Sequence, residues 1–222
     1  MATTWSNERP SSASFWSKTA RKYAASPVRN QAAYETTLAR TTEHLGPEDS
    51  VLELGCGTGS TALLLAGSVR SYLATDFAGG MIEIAESKLD AERTGGTAPQ
   101  GLRFAVADVF SAKVEPKDNA GYDAVLAFNF LHLVEEAEDT LARVRQLLKP
   151  GGLFISKTAC LKRRAWLFGP LIKVMQLFGK APYVRMYSFD ALEGSIRAAG
   201  FEIVETGTYP APYSRFVVAR RI

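Results

Sequence analysis

The 222-residue sequence predicts a doubly wound α/β fold: a seven-stranded, mostly parallel sheet with helices on both faces and an antiparallel edge strand. Three observations predict it. From Ser50 onward short apolar runs alternate with segments of helical spacing, a rhythm that calls for crossover connections between parallel strands. The first of these runs feeds directly into a glycine-rich turn and a helix. Apolar residues make up 46% and charged residues 22%, which excludes disorder and collagen-like repeats and describes a globular chain long enough to bury one large core.

Residues 1–14 read as a polar, loosely docked tail without the apolar core of a signal peptide. Phe15–Ala25 reads as a short helix closed by Pro27. A second helix carries Tyr34, Leu38, Thr41 and Leu45 at spacings of 4, 3 and 4, which is one helix face, and Gly46-Pro47 stops it. Val51–Leu54 is the first strand, followed by the glycine turn and a helix near Thr61–Leu65. Tyr72–Thr75 is the second strand, and Met81, Ile82, Ala85 and Leu89 mark the buried face of the helix after it. Gly95-Gly96 and Pro99 mark a loop; Leu102–Ala107 and Tyr122–Phe128 are the third and fourth strands.

Positions 134, 137, 141, 144 and 148 keep helical spacing, and Lys149-Pro150-Gly151-Gly152 turns the chain into a fifth strand, Leu153–Thr158. Ser188–Ala199 is a helix with Ser188 as N-cap and Gly200 past its end. Phe201–Glu205 and Tyr213–Ala219 are late strands, the second at the sheet edge. The chain thus divides, within one domain over 1–222, into an N-terminal helical region 1–45, a core 50–158, an apolar insertion 160–182, and a helix with a strand pair at 188–222.

The chemistry-bearing motif is Glu53-Leu54-Gly55-Cys56-Gly57-Thr58-Gly59. Closely spaced glycines after a strand let backbone approach a ligand and aim a helix N-terminus at it. The spacing is G-x-G-x-G, with Ser60 where a dinucleotide fingerprint places its third glycine, so a nicotinamide oxidoreductase is disfavoured. Glu53 to Gly59 resembles motif I of the class I S-adenosylmethionine-dependent methyltransferases, Rossmann-like enzymes. The resemblance continues in order through Ala74-Thr75-Asp76, Gly80-Met81-Ile82, Ala107-Asp108-Val109, Tyr122-Asp123 and Leu148-Lys149-Pro150-Gly151-Gly152, about half the chain.

The resemblance implies that S-adenosyl-L-methionine is the cofactor and S-adenosyl-L-homocysteine the product. Asp76 would accept both ribose hydroxyls and Asp108 the adenine amino group, with Phe77, Met81 and Val109 beside them. Gly55 and Gly57 would give the methionine part access to backbone; Glu53 would fix the turn or bond through water to the methionine amino group. Cys56 lies in the same turn, where a small buried thiol is the default reading.

Ligands of doubly wound sheets lie beyond the carboxyl ends of the strands, so Phe128-Asn129-Phe130-Leu131-His132 should flank the methyl group. Methyl transfer is a direct displacement, and a base is needed only for a hydroxyl or a protonated amine. His132 is the candidate base, or else a backbone partner at the next helix. Tyr23 either lines the site or packs, and Asn129 contacts the methionine part or the acceptor. His44 is placed to satisfy helix carbonyls.

Lys162-Arg163-Arg164 precedes an apolar stretch over 165–178 whose polar positions 173, 176 and 180 form a narrow stripe. It reads as a buried helix or dimer contact, a lid over an apolar pocket, or a helix lying on a membrane surface through 162–180. No stretch approaches the roughly 20 apolar residues of a membrane span. Two cysteines and two histidines without ligand spacing give no expected metal. The expected protein is cytoplasmic, a monomer or homodimer, and methylates a small, lipophilic metabolite. An RNA methyltransferase is the alternative left open by the pI near 8.8 and the basic cluster at 162–164, against which Ala127-Phe128-Asn129-Phe130 lacks the Asn/Asp-Pro-Pro-Tyr of base methylation. A non-catalytic S-adenosylmethionine-binding protein is the other.

Overall fold

Seven strands form one sheet in the computed structural model, which describes residues 10–116, 120–177 and 181–222. They are β1 (Ser50–Leu54), β2 (Ser71–Asp76), β3 (Leu102–Val106), β4 (Tyr122–Phe128), β5 (Leu148–Ala159), β6 (Phe201–Thr208) and β7 (Ser214–Arg221). Their order is β3-β2-β1-β4-β5-β7-β6. The first five pair in parallel, and β7 runs antiparallel to both β5 and β6.

The seven helices are α1 (Pro10–Ala25), α2 (Gln31–Thr42), α3 (Ser60–Leu65), α4 (Gly79–Gly95), α5 (Ala137–Leu147), α6 (Ala165–Leu177) and α7 (Phe189–Ala198), counted among the described residues. Central strands are buried on both sides, and the alternation of strand side chains sorts the core into two layers. On one face Val51, Leu126, Ile155 and Phe216 meet α2, α3 and α4; on the other Leu52, Val125, Phe154 and Val217 meet α5 and α7. The α4 face is the expected one, with Met81, Ile82, Ala85 and Leu89 all buried.

Several boundaries differ from expectation for identifiable reasons. Helix α1 starts at Pro10, a residue suited to the first helical turn, so only residues 1–9 of the expected tail lie outside the described residues. Helix α2 ends at Thr42, and its buried side chains are Thr37 and Thr41, because the helix sits with its threonine stripe towards the sheet. Val134 precedes α5, following a short 3-10 turn over Leu131–Leu133. Lys149–Gly152 is a bulge inside β5, not a turn before it: Leu148 still faces Tyr122, and after a slip Leu153 faces Ala124, with Gly151 at φ +77°.

The largest correction concerns the last strand, which is not the edge. Strand β7 buries Phe216, Val217, Val218 and Ala219, the continuous apolar run of a strand covered on both faces, and slots between β5 and β6. Strand β6 alternates buried and accessible positions along Phe201, Glu202, Ile203 and Val204, and it forms the edge, antiparallel to its neighbour. At both ends of α7 the expectation holds: Ser188 caps its start, accepting the Ala191 N–H at 3.2 Å, and Gly200 lies past its end at φ +87°.

Candidate functional site

The site grows from the carboxyl end of β1. Gly55, Gly57 and Gly59 all have positive φ (+68°, +56° and +76°), a region where a Cβ is disfavoured. Space is restricted as well: a Cβ on Gly55 would stand 2.6 Å from the Phe130 ring, and one on Gly59 2.6 Å from Phe104 and 2.8 Å from the Ala85 Cβ. Gly59 therefore lets α4 and β3 close against the turn. Gly57 faces outward, where its Cβ would meet only the Tyr23 ring, 3.9 Å away.

The turn is tied to β2 by its acid. Asp76 Oδ2 accepts the Gly57 N–H at 3.0 Å and Oδ1 accepts the Ala78 N–H at 2.9 Å, while Cys56 N–H donates to the Thr75 carbonyl at 2.9 Å. Each Asp76 oxygen keeps a lone pair for a further donor. Burial raises the Asp76 pKa and the two backbone bonds oppose the rise. Lys88 of α4 braces the other side, donating to the Thr58 carbonyl at 2.9 Å and to Ser60 Oγ at 2.8 Å.

Glu53 is buried beneath the turn and accepts the Tyr72 hydroxyl at 2.8 Å. Burial, only partly offset by that bond, pushes its carboxyl up to about 7. The Cys56 thiol is pushed up by burial and then by the Glu53 and Asp76 charges, so it stays a protonated, unreactive core group. Above these acids lie α1 and α2. Gly80 N–H donates to Ser17 Oγ at 3.3 Å, and Trp16, Ala20, Ala78 and Met81 pack together, fixing α1 over the start of α4. Half of the Tyr23 surface is exposed (51%), yet desolvation and then the Asp76 charge raise its pKa and keep the phenol protonated. The Tyr34 hydroxyl lies 3.2 Å from Thr61 Oγ1, and its pKa is raised by burial first and by Glu53 and Tyr23 further down.

At the end of β3, Ala107 N–H donates to the Asp76 carbonyl at 3.0 Å, placing the next residue, Asp108, beside β2. Asp108 is exposed and its Oδ1 accepts the Phe110 N–H at 2.9 Å; Val109 is buried, Phe77 half-buried. At the end of β4, Asn129 is exposed at φ +53° and its N–H donates to the Lys157 carbonyl at 2.7 Å. A non-glycine residue in this region marks strain that surrounding structure sustains. His132 lies in the 3-10 turn beyond, its carbonyl accepting Arg185 N–H at 2.7 Å. Its Nδ1 is buried without a partner, and burial pushes its pKa down to about 4, so the ring is neutral at pH 7.

The glycine turn, Glu53, Asp76, Asp108, Asn129 and His132 all follow or end strands at one rim of the sheet. His44 is elsewhere: its Nε2 pairs with Glu205 Oε2 at 2.7 Å, beside Arg40, instead of capping helix carbonyls. Tyr34, Thr61, Tyr72 and Lys88 escaped the sequence reading. The only signal for Tyr34 was its place on an amphipathic face, which reads as packing. No group of three or more His, Cys, Asp or Glu side chains suited to a metal occurs among the described residues.

A family model described as a methyltransferase domain matches residues 22–206. The chain is 33% identical over 135 residues (58% of the chain) to a highly reducing polyketide synthase of Alternaria alternata. It is 29% identical over 188 residues (78% of the chain) to a highly reducing polyketide synthase of Gibberella moniliformis. The chain spans only 5% and 7% of the length of these two relatives. Among solved structures, magnesium protoporphyrin IX methyltransferase from Synechocystis with bound S-adenosylhomocysteine superposes with a TM-score of 0.67 at 21% identity, covering 96% of this chain and 95% of the other.

Proposed function

The chain belongs to the methyltransferase-domain family as a class I S-adenosylmethionine-dependent methyltransferase, and from that premise we propose that its acceptor is a small lipophilic molecule of the polyketide kind. The cofactor, when bound, supplies a methyl group already activated on a sulfonium. One observation carries the assignment of the cofactor residues: Asp76 and the glycine turn form one hydrogen-bonded unit that still has acceptor capacity. Two hydroxyls of a ribose fit those remaining lone pairs. Asp108, exposed with one oxygen occupied by Phe110 N–H, suits an exocyclic amine, flanked by Phe77, Met81 and Val109. Gly55, Cys56 and Gly57 would present backbone to the methionine part, and Glu53, buried beneath the turn, would fix that turn or bond through water to the cationic amino group.

On the acceptor side, Tyr23 and Asn129 line the site and His132 holds the position of base. A neutral imidazole with a pKa near 4 accepts a proton only from an acceptor that is itself acidic, so a carbon acid or phenol suits it better than an alcohol. The insertion supports the lipophilic reading. Helix α6 exposes three large apolar side chains, Trp166 (78%), Val174 (54%) and Met175. Phe178 of the expected apolar stretch and Lys180 of its polar stripe lie outside the described residues. Exposed Lys162 and Arg163 beside Trp166 favour a second reading of the same segment, docking on an anionic lipid surface. No described helix is long and apolar enough to cross a membrane.

The test is release of S-adenosylhomocysteine from S-adenosylmethionine with a lipid-and-quinone extract or with total RNA. Turnover with the lipophilic extract alone is expected. Turnover with RNA alone would overturn the acceptor class.

A further inference from the structure

Among the described residues Lys157 is the only buried lysine or arginine, at 9% exposure. It stands opposite Phe128, and two residues earlier Ile155 faces Leu126, which in turn faces Glu53. Lys157 is therefore on the same side of the sheet as Glu53 and one row nearer the carboxyl rim. Its Nζ donates to Thr37 Oγ1 of α2 at 3.0 Å, and that hydroxyl is itself committed to the Ala33 carbonyl at 2.7 Å. None of the ion pairs among the described residues involves it. An ammonium carries three donors, and two are left over here.

Lysines usually bury the stem and extend the head to water. This one turns its head under α2, where burial lowers its pKa and an uncompensated charge is costly. An anion placed beside Nζ would resolve both. Asn129, strained and exposed at the end of the adjacent strand, is bonded through its N–H to the Lys157 backbone, so the lysine borders the acceptor end of the rim. From the glycine turn it is two strands away, about 10 Å at the usual strand spacing.

We infer that Lys157, anchored by Thr37, binds a carboxylate of the acceptor, which makes the acceptor a lipophilic acid. The inference rests on the methyl-transfer reading and narrows it. Its test compares the affinity of the full chain for octanoate and for octanamide, an uncharged ligand of equal length, with and without S-adenosylhomocysteine. Wild type should prefer octanoate by about tenfold or more, the range of a charge-assisted hydrogen bond. Lys157→Met should erase the preference, and Lys157→Arg should keep most of it. An undiminished preference in Lys157→Met, or none in wild type, would overturn the assignment. Should Lys157→Met not fold, Thr37→Val carries the test, since losing the anchoring hydroxyl must also lower the preference.

The cofactor carries a carboxylate too, and 5′-methylthioadenosine lacks it. If Lys157→Met weakens S-adenosylhomocysteine but not 5′-methylthioadenosine, the lysine serves the cofactor and the acceptor assignment falls. If wild type binds octanoate selectively but no S-adenosylhomocysteine, the methyl-transfer reading fails instead.

Discussion

Two buried groups beside the site should drive stability in opposite directions as pH changes. Glu53, with an ordinary value of 4.5, is pushed up to about 7. The folded protein binds this proton more tightly than the unfolded chain, so the contribution is complete below pH 4.5 and is lost as pH rises through 7. His132 is pushed down from 6.5 to about 4, so its contribution is present above 6.5 and lost as pH falls through 4. Each gap, at about 1.4 kcal/mol per pH unit, amounts to about 3 kcal/mol. Over pH 4.5 to 6.5 the two slopes oppose and the wild-type profile is nearly flat. Glu53→Gln keeps an acceptor for the Tyr72 hydroxyl and removes one slope, so stability should fall by about 3 kcal/mol from pH 6.5 to 4. His132→Gln should show the reverse, falling by about 3 kcal/mol from pH 4.5 to 7. Urea unfolding across this range measures both. Variants whose profiles run parallel to wild type would refute the buried-proton reasoning.

Other outcomes follow from the same geometry. Asp76→Asn should weaken S-adenosylhomocysteine by about 100-fold in calorimetry, because a neutral amide presents a donor where the ribose hydroxyls and the Gly57 N–H also donate. Gly59→Ala should cost about 2–4 kcal/mol in chemical denaturation, combining a φ of +76° with a Cβ driven into Phe104 and Ala85. Binding of S-adenosylhomocysteine at pH 7 should expel about half a proton, since its cationic amino group favours ionised Glu53; calorimetry in buffers of different ionisation heat reads this, and Glu53→Gln should abolish it. Lys88→Met should lower stability by about 1 kcal/mol, read as a fall in Tm, through loss of the brace to Thr58 and Ser60.

What was legible in the sequence was what local rules encode. The α4 face, the Ser188 cap and the glycine turn depend on spacing within a few residues, and each appears as read. Placement of β7 between β5 and β6 depends on pairing between distant segments, although the unbroken Phe216–Ala219 run did carry the sign of an interior strand. Asp76 could be singled out because Ala74-Thr75-Asp76, following the glycine turn in order, resembles the second-strand end of the class I methyltransferases. Tyr34 and Lys157 could not, because a tyrosine on a helix face and a lysine in a strand acquire meaning only when α2 is laid across β5 and the row of Glu53.

The position of β7 also shapes how the domain is made. On the ribosome β7 is synthesised after the other six strands of this sheet, yet among them it alone bonds to both β5 and β6. Until it emerges, Leu153–Ala159 presents a bare row of backbone donors and acceptors, and Phe201–Thr208 has no partner. The nascent chain therefore passes through a stage with an open, apolar strand edge that invites pairing with a neighbouring copy. Slowed elongation just upstream of Ser214 should accordingly lower the yield of folded protein more than a pause placed within α4.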